Sequence, residues 1–140
     1  MKNTGQTDNK TICKKLFHDF RDILSWKWDD WIGTFLAEFP TDQEQNIRAV
    51  LEKHLLNSWD SADIRQAPPI VQKLDAHLGG LRPTQLLFSS LPSQDVFVFC
   101  AWWPWGSGDT ISLRIAPFDQ GLSKPEEEEE IEQLKEFAGI

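Results

Sequence analysis

The sequence predicts an α+β fold with about four N-terminal helices, a three-stranded antiparallel sheet and a C-terminal helix. Three observations support this class: helical periodicity up to Leu78, strand-like segments after Pro83, and a second helical signal from Ser123 onward. With 140 residues, of which 40% are hydrophobic, the chain is long enough to bury one core. We therefore expect a single domain over residues 10–140, preceded by a disordered polar lead at residues 1–9.

Three of the helices are predicted from apolar stripes at steps of three and four residues. The stripes cover residues 12–24, 28–39 and 47–55. Pro40 ends the second stripe, and Thr41 with Glu44 forms a capping-box pattern that would open the third helix. A loop is expected over residues 57–66.

Two further helices are predicted from proline and cap signals. The fourth begins at Pro68 and Pro69 and ends at Gly79 and Gly80, and the last begins at Ser123, with Pro125 and Glu126 in its first turn. Proline suits a first helical turn because the N–H that it lacks would have no partner there. Ser123 and Glu126 form the second capping-box pattern of the chain.

Three strands are predicted between these two helices, over residues 84–89, 96–103 and 110–116, with a turn at 91–95. The middle strand contains eight consecutive apolar residues, so it offers apolar side chains to both faces of the sheet. Both faces need cover, either from helices on the two sides or from a partner molecule. The third strand alternates apolar with polar residues, which favours an edge strand with one buried face.

The charge of the chain is negative and unevenly distributed. Its net charge is -8, with a sequence pI of about 4.8, and most of the excess lies in residues 86–140. An acidic surface repels phosphate groups, so binding to nucleic acid or to an anionic membrane is not expected. A basic protein partner is favoured instead.

The two cysteines and the N-terminus bear on cellular location. Cys13 and Cys100 match no metal-ligand or redox spacing, which favours free thiols in a reducing compartment, although pairing between them stays open. The first ten residues are polar, and no apolar run reaches the ~18 residues of a membrane span. We expect a cytoplasmic protein.

An aromatic hairpin is the main candidate for partner contact. Its candidate residues are Trp102, Trp103, Trp105 and Asp109. Strand alternation sends Trp102 and Trp103 to opposite faces, so two of the three rings are expected to pack inside and Trp105 to be the most exposed. The glycine-containing segment 106–109 is interpreted as a hairpin turn, because a phosphate-binding loop would contain a basic residue and open a helix.

The acidic run at residues 126–130 is the main candidate for metal binding. Glu126, Glu129 and Glu130 are weak candidate ligands for calcium, since helical geometry spreads consecutive carboxylates around the axis. The alternative is that these charges stabilise the positive end of the helix dipole. His18, His54 and His77 show no zinc-ligand spacing.

These observations favour a small, acidic, non-catalytic interaction protein, of the inhibitor, immunity or chaperone-like kind. A homodimer that covers the open sheet face is a variant of this hypothesis. The alternative is a protein that binds calcium through the acidic helix or a small molecule through the tryptophan-rich hairpin. An enzyme is the least favoured class, because no nucleophile, acid–base or metal constellation is present in the sequence; no cofactor is expected.

Overall fold

A six-stranded antiparallel sheet forms the centre of the protein, whose residues 4–92 and 96–140 are described by a computed structural model. In chain order the strands are β1 Lys27–Asp29, β2 Thr34–Pro40, β3 Asn57–Trp59, β4 Leu86–Ser89, β5 Phe97–Pro104 and β6 Thr110–Phe118. Their order across the sheet is β1-β2-β6-β5-β4-β3, and every neighbouring pair is antiparallel. The predicted antiparallel sheet is confirmed, but the prediction of three strands was wrong.

Four α-helices flank the sheet in the described part of the chain. They are α1 Thr4–Asp19, α2 Glu44–His54, α3 Pro69–His77 and α4 Lys124–Ala138, with short 3-10 turns at Thr41–Gln43 and Ile64–Gln66. The α+β class is therefore confirmed. The central strand β5 has helices on both of its faces, which is the first of the two ways in which such a strand can be covered.

The larger core lies between the sheet and the helices α1, α2 and α4. Edge-to-face ring contacts run through it: Phe17 of α1 lies 5.1 Å from Phe35 of β2, and within the sheet Phe39 of β2 lies 5.5 Å from Trp102 of β5. Leu51 of α2 is fully buried in the same cluster. This face of the sheet is thus closed by three helices.

The smaller core lies on the opposite face, where α3 covers only part of the sheet. Val71 and Leu74 of α3 pack with Phe97, Phe99 and Ala116. Beyond these residues, the face continues over β1, β2 and the hairpin end of β5 and β6. No helix of the described chain forms a core cluster with that half of the face.

The predicted helix over residues 28–39 is instead the β1–β2 hairpin. Trp28 pairs across the hairpin with Phe35, at a ring distance of 4.9 Å, so the apparent helical spacing is a cross-strand contact. Phe35, Ala37 and Phe39 alternate into the larger core, as strand geometry requires. A spacing of three and four residues could not distinguish these two arrangements.

The start of the chain also differs from its prediction. Residues 4–9, where the sequence predicted part of a disordered lead over residues 1–9, are helical and begin α1, while residues 1–3 lie outside the described part. Asn9 is buried, and its Nδ2 donates a hydrogen bond to the Phe97 carbonyl at 3.3 Å. The helix ends at Asp19, earlier than the apolar pattern to residue 24 suggested.

Three smaller expectations need correction. The Thr41 hydroxyl donates to the Gly108 carbonyl at 2.7 Å and does not cap α2, so the first capping box is absent. The third predicted strand is β6, which lies between β2 and β5 and is not an edge strand. The expected loop at 57–66 contains strand β3.

The local signals at the other helix ends are confirmed. The Ser123 hydroxyl accepts from the Glu126 amide at 3.3 Å, and Glu126 Oε1 accepts from the Ser123 amide at 2.9 Å. Helix α3 starts at Pro69, and Gly79 and Gly80 follow its end with φ of +100° and +84°. Of the predicted turn at 91–95, residues 93–95 lie outside the described part.

Candidate interaction surface

The three tryptophans of the aromatic hairpin have different environments. Trp102 is 3% exposed in the larger core, so it is not available to a partner in this structure. Trp103 lies half-buried on the opposite face, with the Arg114 guanidinium 5.2 Å from its ring centre. Trp105 is 48% exposed, and its Nε1 donates to Ser112 Oγ at 2.9 Å.

Residues 105–109 form the predicted hairpin turn between β5 and β6. The Trp105 amide donates to the Thr110 carbonyl at 2.8 Å, and the Gly108 amide donates to the Trp105 carbonyl at 3.0 Å. The Asp109 side chain is exposed, while its amide donates to Ser107 Oγ at 3.3 Å. Backbone N–H groups that are used within the turn do not form an anion cradle.

Asp29 connects the β1–β2 hairpin to the centre of the sheet. Its Oδ2 accepts from Arg114 Nη1 at 2.5 Å, and its Oδ1 accepts from the Trp31 amide at 2.9 Å. Arg114 Nη1 also lies 3.2 Å from Thr34 Oγ1. The hydrogen bond from Arg114, followed by that from the Trp31 amide, holds the pKa of Asp29 below its usual range.

Trp31 lies at the tip of this hairpin and is 92% exposed. The backbone around it is held by Asp29 Oδ1 and by the hydrogen bond from the Gly33 amide to the Asp29 carbonyl at 2.8 Å. Our sequence interpretation missed Trp31 because it assigned the segment to a helix. The two aspartates before Trp31 and the glycine after Ile32 are a turn signal that could have identified the tip.

A groove of about 620 Å³ lies beside this hairpin tip. It extends from the hairpin across the end of β6 to α4, from Lys124 to Lys135, and the C-terminal end of α3 closes one side. Apolar side chains in its lining include Trp28, Ile32, Leu78, Phe118, Leu122 and Ile131. Six carboxylate side chains also line it: Asp30, Asp119, Glu127, Glu128, Glu130 and Glu132.

Few cationic groups oppose these carboxylates. Besides His77, the lining contains two lysines, Lys124 and Lys135. Lys135 Nζ lies 3.2 Å from Glu132 Oε2 and 5.8 Å from the centre of the Trp28 ring, so it opposes one of the six carboxylates. The groove therefore combines apolar side chains with an excess of negative charge.

Glu130 is the most enclosed carboxylate of the predicted metal set. Burial, followed by the negative charge of Asp119, raises the pKa of Glu130 above its ordinary value, and Lys10 opposes this shift. Glu126 is occupied in the capping box, which lowers its pKa, and Glu129 is exposed. Within residues 4–92 and 96–140, no group of three or more acidic, histidine or cysteine side chains has the geometry of a metal site.

The backbone edge beside the groove is poorly suited to adding a strand. The Val98 amide donates to Ser90 Oγ, and the Val98 carbonyl accepts from the Ser90 amide, both at 2.9 Å. The N–H and C=O of Val98 therefore both face Ser90 and not β6. Because Val98 lies opposite Pro117 in the β5–β6 pairing, the backbone groups of Pro117 face away from β5. Pairing between β2 and β6 stops at Ile115, so Pro117 lies on an open edge without an N–H to donate. This edge therefore offers few backbone groups with which an added strand could pair.

Three side chains that could take part in chemistry, Cys13, Cys100 and His54, are buried or paired within the fold. Cys13 and Cys100 are buried free thiols, and desolvation raises the pKa of each well above its ordinary value. His54 Nε2 lies 2.6 Å from Asp19 Oδ2 and connects α2 to α1. Among the described residues, no serine or cysteine is hydrogen-bonded to this pair.

Comparison of the chain with protein-family models, with curated proteins and with solved structures finds no match. None of the helices in the described ranges is both long enough and apolar enough to cross a bilayer. What the protein does is therefore inferred from the groove and the hairpin tip beside it.

Proposed function

We propose that this protein is a non-catalytic interaction domain that binds a basic segment of another protein in the groove. The observation that carries this proposal is the lining of the groove, in which apolar side chains are surrounded by six carboxylates and only two lysines. Apolar contact supplies short-range attraction, while complementary charge selects the partner and speeds association. A segment with alternating basic and apolar side chains fits this lining.

The net charge of the chain supports a basic partner. A second copy would also carry a net charge of -8, and like charges across an interface are unfavourable. The inhibitor, immunity and chaperone-like roles all agree with such a partner.

The homodimer variant has less support than the sequence suggested. Helix α3 covers part of the second sheet face. On the remaining half, the Arg114 guanidinium lies against the Trp103 ring and donates a hydrogen bond to Asp29. We therefore propose a monomer that binds its partner at the groove.

Calcium binding, the alternative function, is not adopted. Glu126 is committed to the capping box through its contact with Ser123, and Glu129 is exposed. Glu130 alone of the three lines the groove. Within the described residues, these carboxylates belong to no group of three that could hold a metal ion.

Neutralising the groove tests the proposal. The triple variant Glu127→Gln, Glu128→Gln, Glu132→Gln removes three lining charges, and the control variant Glu52→Gln, Glu129→Gln, Glu136→Gln removes three charges from outside the groove lining. The probe is a fluorescein-labelled nonapeptide of alternating lysine and leucine, with a glutamate–leucine peptide as its counterpart. Affinity is measured by fluorescence anisotropy at low and at moderate salt.

We expect the lysine peptide to bind, more weakly as salt rises, and the glutamate peptide not to bind. The groove variant should lose about tenfold in affinity, since three exposed charge pairs contribute about 0.3–0.5 kcal/mol each. The control variant should lose less than about twofold beyond the general effect of net charge. Absence of binding, or equal loss in the two variants, would contradict the proposal.

A further inference from the structure

We infer that Trp31 is the anchor of this interaction surface and that it receives a lysine or arginine side chain of the partner against its ring. This inference rests on the proposed function, because the same basic segment would occupy the groove. It names a residue outside the aromatic hairpin of β5 and β6.

The exposure of Trp31 is the first argument. A tryptophan buries a large apolar area when it packs, so a ring that is 92% exposed leaves that contribution unused in the free protein. Trp105, the other exposed tryptophan of the described chain, is only 48% exposed and already has a partner for its Nε1. Tryptophan is among the residues that contribute most at protein interfaces.

The rigidity of the tip is the second argument. The Trp31 amide donates to Asp29 Oδ1, and the Gly33 amide donates to the Asp29 carbonyl. The ion pair between Asp29 and Arg114 then ties the hairpin to β6. Because the backbone that presents the ring is already ordered, binding loses little conformational entropy at this position.

The position of the ring is the third argument. Asp30 and Ile32, on either side of Trp31, both line the groove, so the Trp31 backbone lies beside it and the exposed ring projects outside the lining. An aromatic face next to carboxylates is suited to a cation that has an apolar stem, which describes a lysine or arginine side chain. The apolar side chains of the groove can take the alternating apolar residues of the same segment.

A second surface tryptophan provides the matched control for this inference. Trp31→Ala, Trp31→Phe and Trp105→Ala are compared in binding to the lysine–leucine nonapeptide and to the same peptide with every lysine acetylated. Urea denaturation of each variant shows whether the fold is intact. Because the Trp31 ring is exposed, its variants should unfold at the same urea concentration as the unsubstituted protein.

We expect Trp31→Ala to weaken binding by about tenfold or more, as removal of an interface anchor does. Trp31→Phe should retain most of the affinity, since phenylalanine keeps a weaker aromatic face. Trp105→Ala should change affinity by less than about twofold, and acetylation should abolish binding to every variant.

The outcomes separate this inference from the proposed function. If the unsubstituted protein does not bind the lysine peptide, the proposed function fails and this inference fails with it. If the groove charges matter but Trp31→Ala has no effect, the proposed function stands and the inference is wrong. If Trp105→Ala gives the larger loss, Trp105 is the anchor and the inference is again wrong.

Discussion

Asp29 shows how one side chain can determine the conformation of a surface. Both of its carboxylate oxygens are used, one by Arg114 and one by the Trp31 amide. Its contact with Arg114 spans 85 positions in the sequence, so no local pattern could indicate it. The charge pair is mostly shielded from water, with 14% of the Arg114 side chain and 22% of the Asp29 side chain exposed.

Replacing this carboxylate should destabilise the protein. Asp29→Asn leaves the Arg114 guanidinium without its ion-pair partner in a half-buried position, and we expect a loss of about 1–3 kcal/mol in the free energy of unfolding at pH 7. Urea denaturation measures this loss. Asp22→Asn, at an exposed position on the turn after α1, is the control and should change stability by less than about 0.5 kcal/mol.

The same variant should alter the response to acid. Because the pKa of Asp29 is lower in the folded than in the unfolded protein, its contribution is present above the ordinary carboxyl pKa and is lost as pH falls through the folded value. The stability difference between the unsubstituted protein and Asp29→Asn should therefore shrink below about pH 4. A difference that is constant from pH 7 to pH 3 would show that the ion pair does not stabilise the fold.

At the scale of elements, the β1–β2 hairpin determines which tryptophan the candidate interaction surface exposes. Its turn needs Gly33, whose φ is +80°, a conformation that side chains with a Cβ rarely adopt. The hairpin places Trp28 in contact with the core, yet leaves Trp31 in solvent. The turn residues therefore determine which tryptophan is buried and which is presented.

Gly33→Ala tests the role of this turn. A Cβ at residue 33 would meet no atom within 4 Å, so the expected cost of about 1–2 kcal/mol comes from the left-handed backbone alone. Gly106→Ala is the matched control, because residue 106 has the same free space without a positive φ. Thermal or urea unfolding measures both variants. Equal stability of the two would mean that the hairpin tolerates another turn conformation, and Trp31 would then be less firmly placed.

At the scale of the whole molecule, both faces of the central strand are covered within one chain. Helices α1, α2 and α4 cover one face, and α3 covers part of the other. A partner is therefore not needed to bury β5. The acidic groove lies to one side of these layers, where it is open to other molecules.

This arrangement predicts a monomer in solution. Light scattering after size-exclusion chromatography should give a mass close to the 16.1 kDa of one chain, with and without calcium. The reason is that β5 is already covered and that two acidic surfaces repel each other. A stable dimer at micromolar concentration would contradict this prediction and would return the helix-free half of the sheet face to consideration.

Short-range signals were sufficient for part of this fold. Pro69 and the glycines after α3, the capping box of Ser123 and Glu126, and the apolar run of β5 all act through neighbours within a few residues. The turn between β5 and β6 was predictable for the same reason. The negative charge that favours a basic partner is likewise visible in the composition.

The candidate surface depends on contacts that only the tertiary structure creates. Trp28 and Phe35 have a spacing that fits a helix as well as a hairpin, and the pairing of β2 with β6 selects the hairpin. That choice also places Trp31 in solvent and brings Asp29 to Arg114. A residue's neighbours along the chain determine its local conformation, whereas its exposure and charge partners come from segments far away in sequence; the groove therefore could not be read from the sequence.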